Sequence, residues 1–151
     1  MKRSPKTIGE ISEAQVLARL LLADEVVLLP FGDNQRYDLV LDRKGTFLRV
    51  QVKTGRLRDG AVRFFPCSSG STTDHCTKTS YLGAADFFAV YCPENHRVYW
   101  ISVDECGGLK ECSLRVDQAR NGQVRNTRLA SDYEYPMGSD PTGEGDRLIS
   151  G

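Results

Sequence analysis

Three side chains with complementary chemistry lie close together in residues 36–53: the carboxylate of Asp38, the amide of Gln51 and the ammonium of Lys53. A carboxylate is a hard anionic ligand for a divalent cation. An amide oxygen or a main-chain carbonyl, here that of Val52, can add neutral oxygens. Lys53 would orient an attacking water or hold a phosphate, and its charge would stabilise a hydroxide-like nucleophile. Hydrolysis of a phosphodiester needs these functions together: charge neutralised at phosphorus, a water activated and the leaving oxygen stabilised. Glu13, much earlier in the chain, would supply a second carboxylate if its helix packs beside the others.

A β-hairpin would bring Asp38, Gln51 and Lys53 together. Residues 37–42 and 46–53 alternate in polarity on either side of Arg43-Lys44-Gly45, which has turn chemistry. Side chains share a face at every second strand position, so Asp38, Val40 and Asp42 are co-facial. Phe47, Arg49, Gln51 and Lys53 likewise share a face, with Leu48, Val50 and Val52 forming the apolar one behind it. Pairing Asp42 with Thr46 or Phe47 sets Asp38 opposite or nearly opposite Gln51, with Cβ atoms ~5 Å apart. The helix that must present Glu13 spans residues 7–23, with Ile11, Ala14, Leu17, Ala18 and Leu21 as its apolar stripe. Thr7-Ile8-Gly9-Glu10 fits a capping box, in which Glu10 reaches back to the N-cap Thr7. That leaves Glu13 without local employment beyond an acid's favourable place near a helix N-terminus.

Residues 26–30 form a short apolar run consistent with a buried strand, and residues 31–35 are a turn by composition. A second turn is expected at 54–60, a strand at 61–67, and a long polar loop at 68–80, of a length that is either functional or poorly ordered. Residues 81–85 suggest a helical turn. Residues 87–92 and 97–103 suggest a hairpin of core strands, in which Trp100 and the tyrosines pack rather than stack on bases. Leu114 and Val116 could form a short edge strand. Beyond Pro136 the Gly/Ser/Asp/Pro composition reads as a disordered tail, which divides the chain into a domain at 1–135 and a tail at 136–151.

The chain has 151 residues and zero formal net charge, is 40% hydrophobic and 26% charged, and so fits one soluble domain with one core. No apolar run reaches the ~20 residues of a membrane helix, and no signal-peptide segment follows the basic start. Five cysteines without a CxxC pair exclude a full disulfide framework. They give little support to a zinc module built on His75 and Cys76, and point to a reducing, cytoplasmic or nucleoid setting. Charge is uneven: residues 43–63 hold seven bases against one acid, surrounding the Asp38–Lys53 patch where a polyanion would lie. Arg120 and Arg125 belong to a later polar, basic segment able to contact phosphate.

An acid on one strand, followed on the next by an acid or glutamine, one spacer and a lysine, resembles the active-site pattern of the PD-(D/E)XK nucleases. Here the pattern is Tyr37-Asp38 followed by Gln51-Val52-Lys53. Gly9-Glu10-Ile11-Ser12-Glu13 is similar to the helix bearing that family's early glutamate, with Glu13 at the matching position. The stretches 30–40, 50–56, 81–83 and 86–91 resemble the small branch that includes group I intron-associated homing endonucleases, and the likeness spans residues 7–135. It departs from the usual pattern at Gln51, where most members carry an acid. The resemblance implies an α/β (α+β) restriction-endonuclease-like core, a mixed sheet flanked by helices and opening αβββ. It implies Mg2+- or Mn2+-dependent cleavage of double-stranded DNA by a homo-oligomer, dimer or tetramer. The implied catalytic set is Glu13, Asp38, Gln51 and Lys53, and the implied metal ligands are Asp38, Gln51, Val52 and Glu13. Gln35, Arg36, Arg49, Arg56, Arg58, Lys78, Arg120 and Arg125 are the candidate DNA contacts. Two alternatives stand beside this reading: a Holliday-junction resolvase-like nuclease, and a non-catalytic DNA-binding module of the same fold.

Overall fold

The chain opens with α1 (Pro5–Leu22), β1 (Val26–Leu28), β2 (Leu39–Arg43) and β3 (Thr46–Thr54), the expected helix followed by three strands. This architecture comes from a computed structural model that describes residues 1–72, 75–117 and 127–135, with the backbone alone at 69–72 and 75–78. A six-stranded sheet is completed by β8 (Phe87–Cys92), β9 (Arg97–Ser102) and β11 (Glu134–Tyr135), in the order β1-β2-β3-β8-β9-β11. The sheet is mixed because β3 runs parallel to β8 while its other neighbours pair antiparallel. Helix α1 covers one face, over Val50, Val52, Ala89 and Trp100. The other face is covered by a three-stranded sheet of β4 (Arg56–Arg58), β5 (Ala61–Phe64) and β10 (Cys112–Arg115), together with the short α2 (Val103–Cys106).

The structure corrects five local expectations. Ser4, rather than Thr7, is the helix N-cap, accepting from Thr7 N at 3.1 Å. Pro5 starts the helix early, because its fixed φ suits the first turn and its missing amide has no partner to lose there. No capping box forms, so Glu10 is an exposed residue within the helix. The buried line is Ser12, Val16 and Leu20, while Ala14, Ala18 and Leu21 face solvent. A count of apolar positions misses this line because Ser12 belongs to it: its hydroxyl meets Thr54 Oγ1 at 2.6 Å, so both groups are satisfied inside.

β1 is an edge strand, with Val26 55% and Leu28 43% exposed, where the apolar run suggested a buried one. The segment 54–60 is not one long turn, since β4 occupies its middle and the chain reverses at Asp59 and Gly60, both with positive φ. The expected loop at 68–80 is instead a two-stranded antiparallel ribbon of β6 (Cys67–Thr72) and β7 (His75–Ser80). The aromatic residues pack as expected. Trp100 stacks on Phe87 at 5.3 Å, and Phe88 receives Phe64 and Tyr81 edge-on.

Gly55 joins the two sheets. Its amide donates to Tyr91 O at 2.8 Å, and a Cβ placed on it would lie 2.7 Å from Val62 Cγ1 and 2.9 Å from Val90 Cγ1. Gly55→Ala should therefore cost about 1–3 kcal/mol through overpacking of that junction. Urea unfolding would measure it, and an unchanged midpoint would contradict this account of the junction.

Candidate active site

The hairpin supplies the site and its register. Lys44 (φ 53°) and Gly45 (φ 86°) form a two-residue turn of the hand that matches strand twist, and Asp42 Oδ1 accepts from Gly45 N at 2.9 Å. Asp42 pairs with Phe47 and Leu39 with Val50, which sets Asp38 opposite Gln51. Here the ladder changes character. Asp38 N donates to Val50 O at 2.8 Å, and Asp38 Oδ2 accepts from Val52 N at 2.8 Å. A carboxylate oxygen thus stands where a main-chain carbonyl would. It is held against the strand that bears Gln51 and Lys53, leaving Oδ1 for another partner.

Gln51 Nε2 donates to the Val52 carbonyl at 3.3 Å. Half a turn of that amide brings Oε1 beside the same carbonyl, so both oxygens could face one cation. Lys53 Nζ donates to Cys67 O at 3.0 Å and lies 3.5 Å from Tyr81 OH. Glu13 follows the buried Ser12 on α1 and lines a cleft of about 320 Å³ with Asp38, Pro30, Asp33, Gln35 and Tyr37. Acids from the helix and from the hairpin therefore meet in one cleft.

Electrostatics there favour an incoming cation. Burial pushes the Asp38 carboxyl up, against the opposing pull of the Val52 N–H and Lys53. Glu13 is pushed up by burial first and then by the charges of Asp38 and Glu10. Burial lowers Lys53, partly offset by Cys67 and Asp38. These carboxylates are undercompensated within the protein, which is the condition a divalent ion relieves. Among the described residues no group of three His, Cys, Asp or Glu side chains could hold a metal. The donors that fit are all oxygens: two carboxylates, an amide and a main-chain carbonyl. That set suits Mg2+ or Mn2+.

The candidate DNA contacts divide. Gln35 is exposed at the cleft and Arg58 is exposed on β4. Arg56 lies 3.8 Å from Glu94. Arg36 and Arg49 serve as internal ties. Arg36 donates to Ser80 O at 2.7 Å and to Thr79 O and Ser68 Oγ at 3.3 Å. Arg49 pairs with Asp86 at 3.2 Å and donates to Gly83 O. Arg120, Arg125 and the tail at 136–151 lie outside the described residues, as do the side chains of Lys78, His75 and Cys76. Tyr81, Asp86 and the Cys67 carbonyl are parts of the site's surroundings that sequence reading left unassigned. Only contacts across the fold reveal them.

A helix and three strands that bring an acid and a lysine to one hairpin face form the core of a nuclease family. The chain belongs to the PD-(D/E)XK endonucleases, whose family model matches residues 3–136. Its fold is similar to that of a bacterial homing endonuclease, at 24% identity and a TM-score of 0.71, over 97% of this chain and 93% of that one. No curated protein matches it in sequence.

The raised carboxyl groups have a consequence for stability. The folded state binds their protons more tightly than the unfolded chain does. Stability therefore falls as pH rises from the ordinary carboxylate range through the raised values. Asp38→Asn keeps an acceptor for Val52 N–H and removes the desolvated charge. Its thermal midpoint at neutral pH should equal or exceed that of the unsubstituted protein, with the advantage vanishing in acid. A lower midpoint at neutral pH would contradict this reading of Asp38.

Proposed function

We propose that the chain is a metal-dependent endonuclease that hydrolyses phosphodiester bonds of duplex DNA in a homing- or restriction-like role. The observation that carries this reading is Asp38, held by Val52 N–H opposite Gln51 on the strand that also bears Lys53. Asp38 Oδ1, Gln51 Oε1, the Val52 carbonyl and Glu13 would hold Mg2+ or Mn2+, which when bound neutralises charge at phosphorus and acidifies water. Lys53 orients the attacking water or holds the scissile phosphate, and its charge stabilises the nucleophile. Gln35 and Arg58 are the exposed candidates for contacts to the strand, and the β6–β7 ribbon has the form that a DNA major groove admits.

One site per chain cuts one strand, so cleavage of both strands needs a homo-oligomer, dimer or tetramer. A surface for a second copy is available where Leu22, Val26, Leu28, Leu29 and Phe31 are exposed at the open sheet edge. No helix among the described residues is long and apolar enough to cross a membrane. Cys67, Cys92, Cys106 and Cys112 are free thiols, and the working compartment proposed for the chain is the reducing cytoplasm, where thiols stay reduced.

A duplex library incubated with the protein and Mg2+ or Mn2+, with the new ends sequenced, tests the proposal. Cleavage at defined sites is expected. Asp38→Ala and Lys53→Ala should each lower the rate by about a hundredfold or more while DNA binding persists. Binding without any metal-dependent cutting would overturn the proposal in favour of a non-catalytic DNA-binding module, the reading that Gln51 in place of an acid supports.

A further inference from the structure

Two cations share one aromatic ring beside the candidate site. Arg36 Cζ lies 4.4 Å and Lys53 Nζ 4.6 Å from the centroid of Tyr81. Both are inside the ~6 Å over which a ring quadrupole attracts a cation. The Tyr81 hydroxyl adds a contact to Lys53 Nζ at 3.5 Å, and the Cys67 carbonyl accepts from the same ammonium at 3.0 Å.

The ring is itself fixed. Tyr81 is 6% exposed, and its ring meets Phe88 edge-on at 5.5 Å and 88°. Its carbonyl accepts from Ala84 N and Ala85 N, closing the turn that follows β7. Phe88 is the neighbour of Gln51 across the parallel β3–β8 pair. Tyr81 is therefore placed by the strand next to the one carrying the site.

A lysine has a compact charge on a flexible four-carbon stem, and holding that stem in one rotamer costs entropy. Inside a protein its charge also lacks water, and Arg36, drawn to the same ring, adds repulsion. The π face and hydroxyl of Tyr81 and the Cys67 carbonyl offset these costs at one location only. Cys67 begins β6 and pairs with Ser80, which ends β7 and whose carbonyl accepts from Arg36. The two cations thus grip opposite strands at the base of the ribbon, and Tyr81 is the side chain in contact with both.

We propose that Tyr81 is the positioning residue for Lys53. Its ring and hydroxyl hold the ammonium against the Cys67 carbonyl and keep Arg36 docked against the ribbon base. The inference rests on the proposed role of Lys53 in the nuclease reaction. Tyr81 acts through Lys53 and does not itself touch the reacting atoms.

The test replaces Tyr81 with phenylalanine and with mono-, di- and trifluorinated phenylalanine, which preserve ring shape while draining the π face. Tyr81→Leu is the end point. In single-turnover cleavage of duplex DNA the chemical rate should fall stepwise along the fluorinated series, by about tenfold overall. DNA affinity should stay nearly constant, and Tyr81→Phe should recover most of what Tyr81→Leu loses. In the free protein, acetylation of Lys53, read by mass spectrometry against the exposed Lys44, should rise along the same series. A flat acetylation series overturns the proposal, as does an unchanged rate in a protein that Lys53→Ala inactivates. Should the unsubstituted protein cut no DNA, the nuclease reading fails, and the acetylation series still decides the role of Tyr81.

Discussion

The bond from Val52 N–H to Asp38 Oδ2 is the constraint on which the site depends. It closes the β2–β3 ladder where β2 departs from regular pairing, so an acidic side chain becomes part of the sheet's own hydrogen bonding. Two results follow from one contact. The acid cannot swing away from Gln51, and the strand cannot slip without orphaning a buried amide, which costs about 1–3 kcal/mol. The same bond only partly offsets the burial of Asp38, whose carboxyl remains raised. The site is thus rigid and short of positive charge before anything binds, a condition typical of functional residues whose local stability is compromised.

Around that contact the fold works as a frame with two covers. Helix α1 seals the Val50/Val52 face and brings Glu13 to the cleft. Its rotation is set by Ser12 against Thr54, which spaces the helix from the end of β3. The small sheet of β4, β5 and β10 seals the other face and continues into the β6–β7 ribbon, whose base touches Lys53 and Arg36. Arginines that a sequence would assign to phosphate therefore divide their labour. Arg36 and Arg49 fasten the ribbon and the β3–β8 region from within, while Arg58 and Gln35 stay open to a ligand.

The hairpin was legible in the alternation of 37–42 and 46–53, but its register stayed open between Asp42–Thr46 and Asp42–Phe47, alternatives that differ by one residue and so turn one strand's apolar side chains outward. The two-residue turn at Lys44 and Gly45 selects Asp42–Phe47 and sets Asp38 opposite Gln51. The fold class was legible through the resemblance carried by Glu13, Asp38 and Gln51-Val52-Lys53, and the structural comparison agrees with it. The buried face of α1 was not legible, because Ser12 reads as polar and its partner is 42 residues away. The β6–β7 ribbon was hidden for a related reason: Ser- and Thr-rich strands carry no inside-outside alternation. β1 misled in the opposite sense, since an apolar run reads as core when the chain leaves it at an edge. Tyr81 could not be placed beside Lys53 by any local pattern, because that contact exists only once β3, β7 and β8 are assembled.

A crystal grown or soaked with Mn2+ and measured for anomalous scattering tests, without reference to activity, whether the Asp38 patch holds a divalent cation. The expected result is one strong peak contacted by Asp38, the Val52 carbonyl and Gln51, with Glu13 facing it directly or through water, and its loss in Asp38→Asn. Binding of Mn2+ elsewhere with no peak at Asp38, or a peak there that persists in Asp38→Asn, would contradict it.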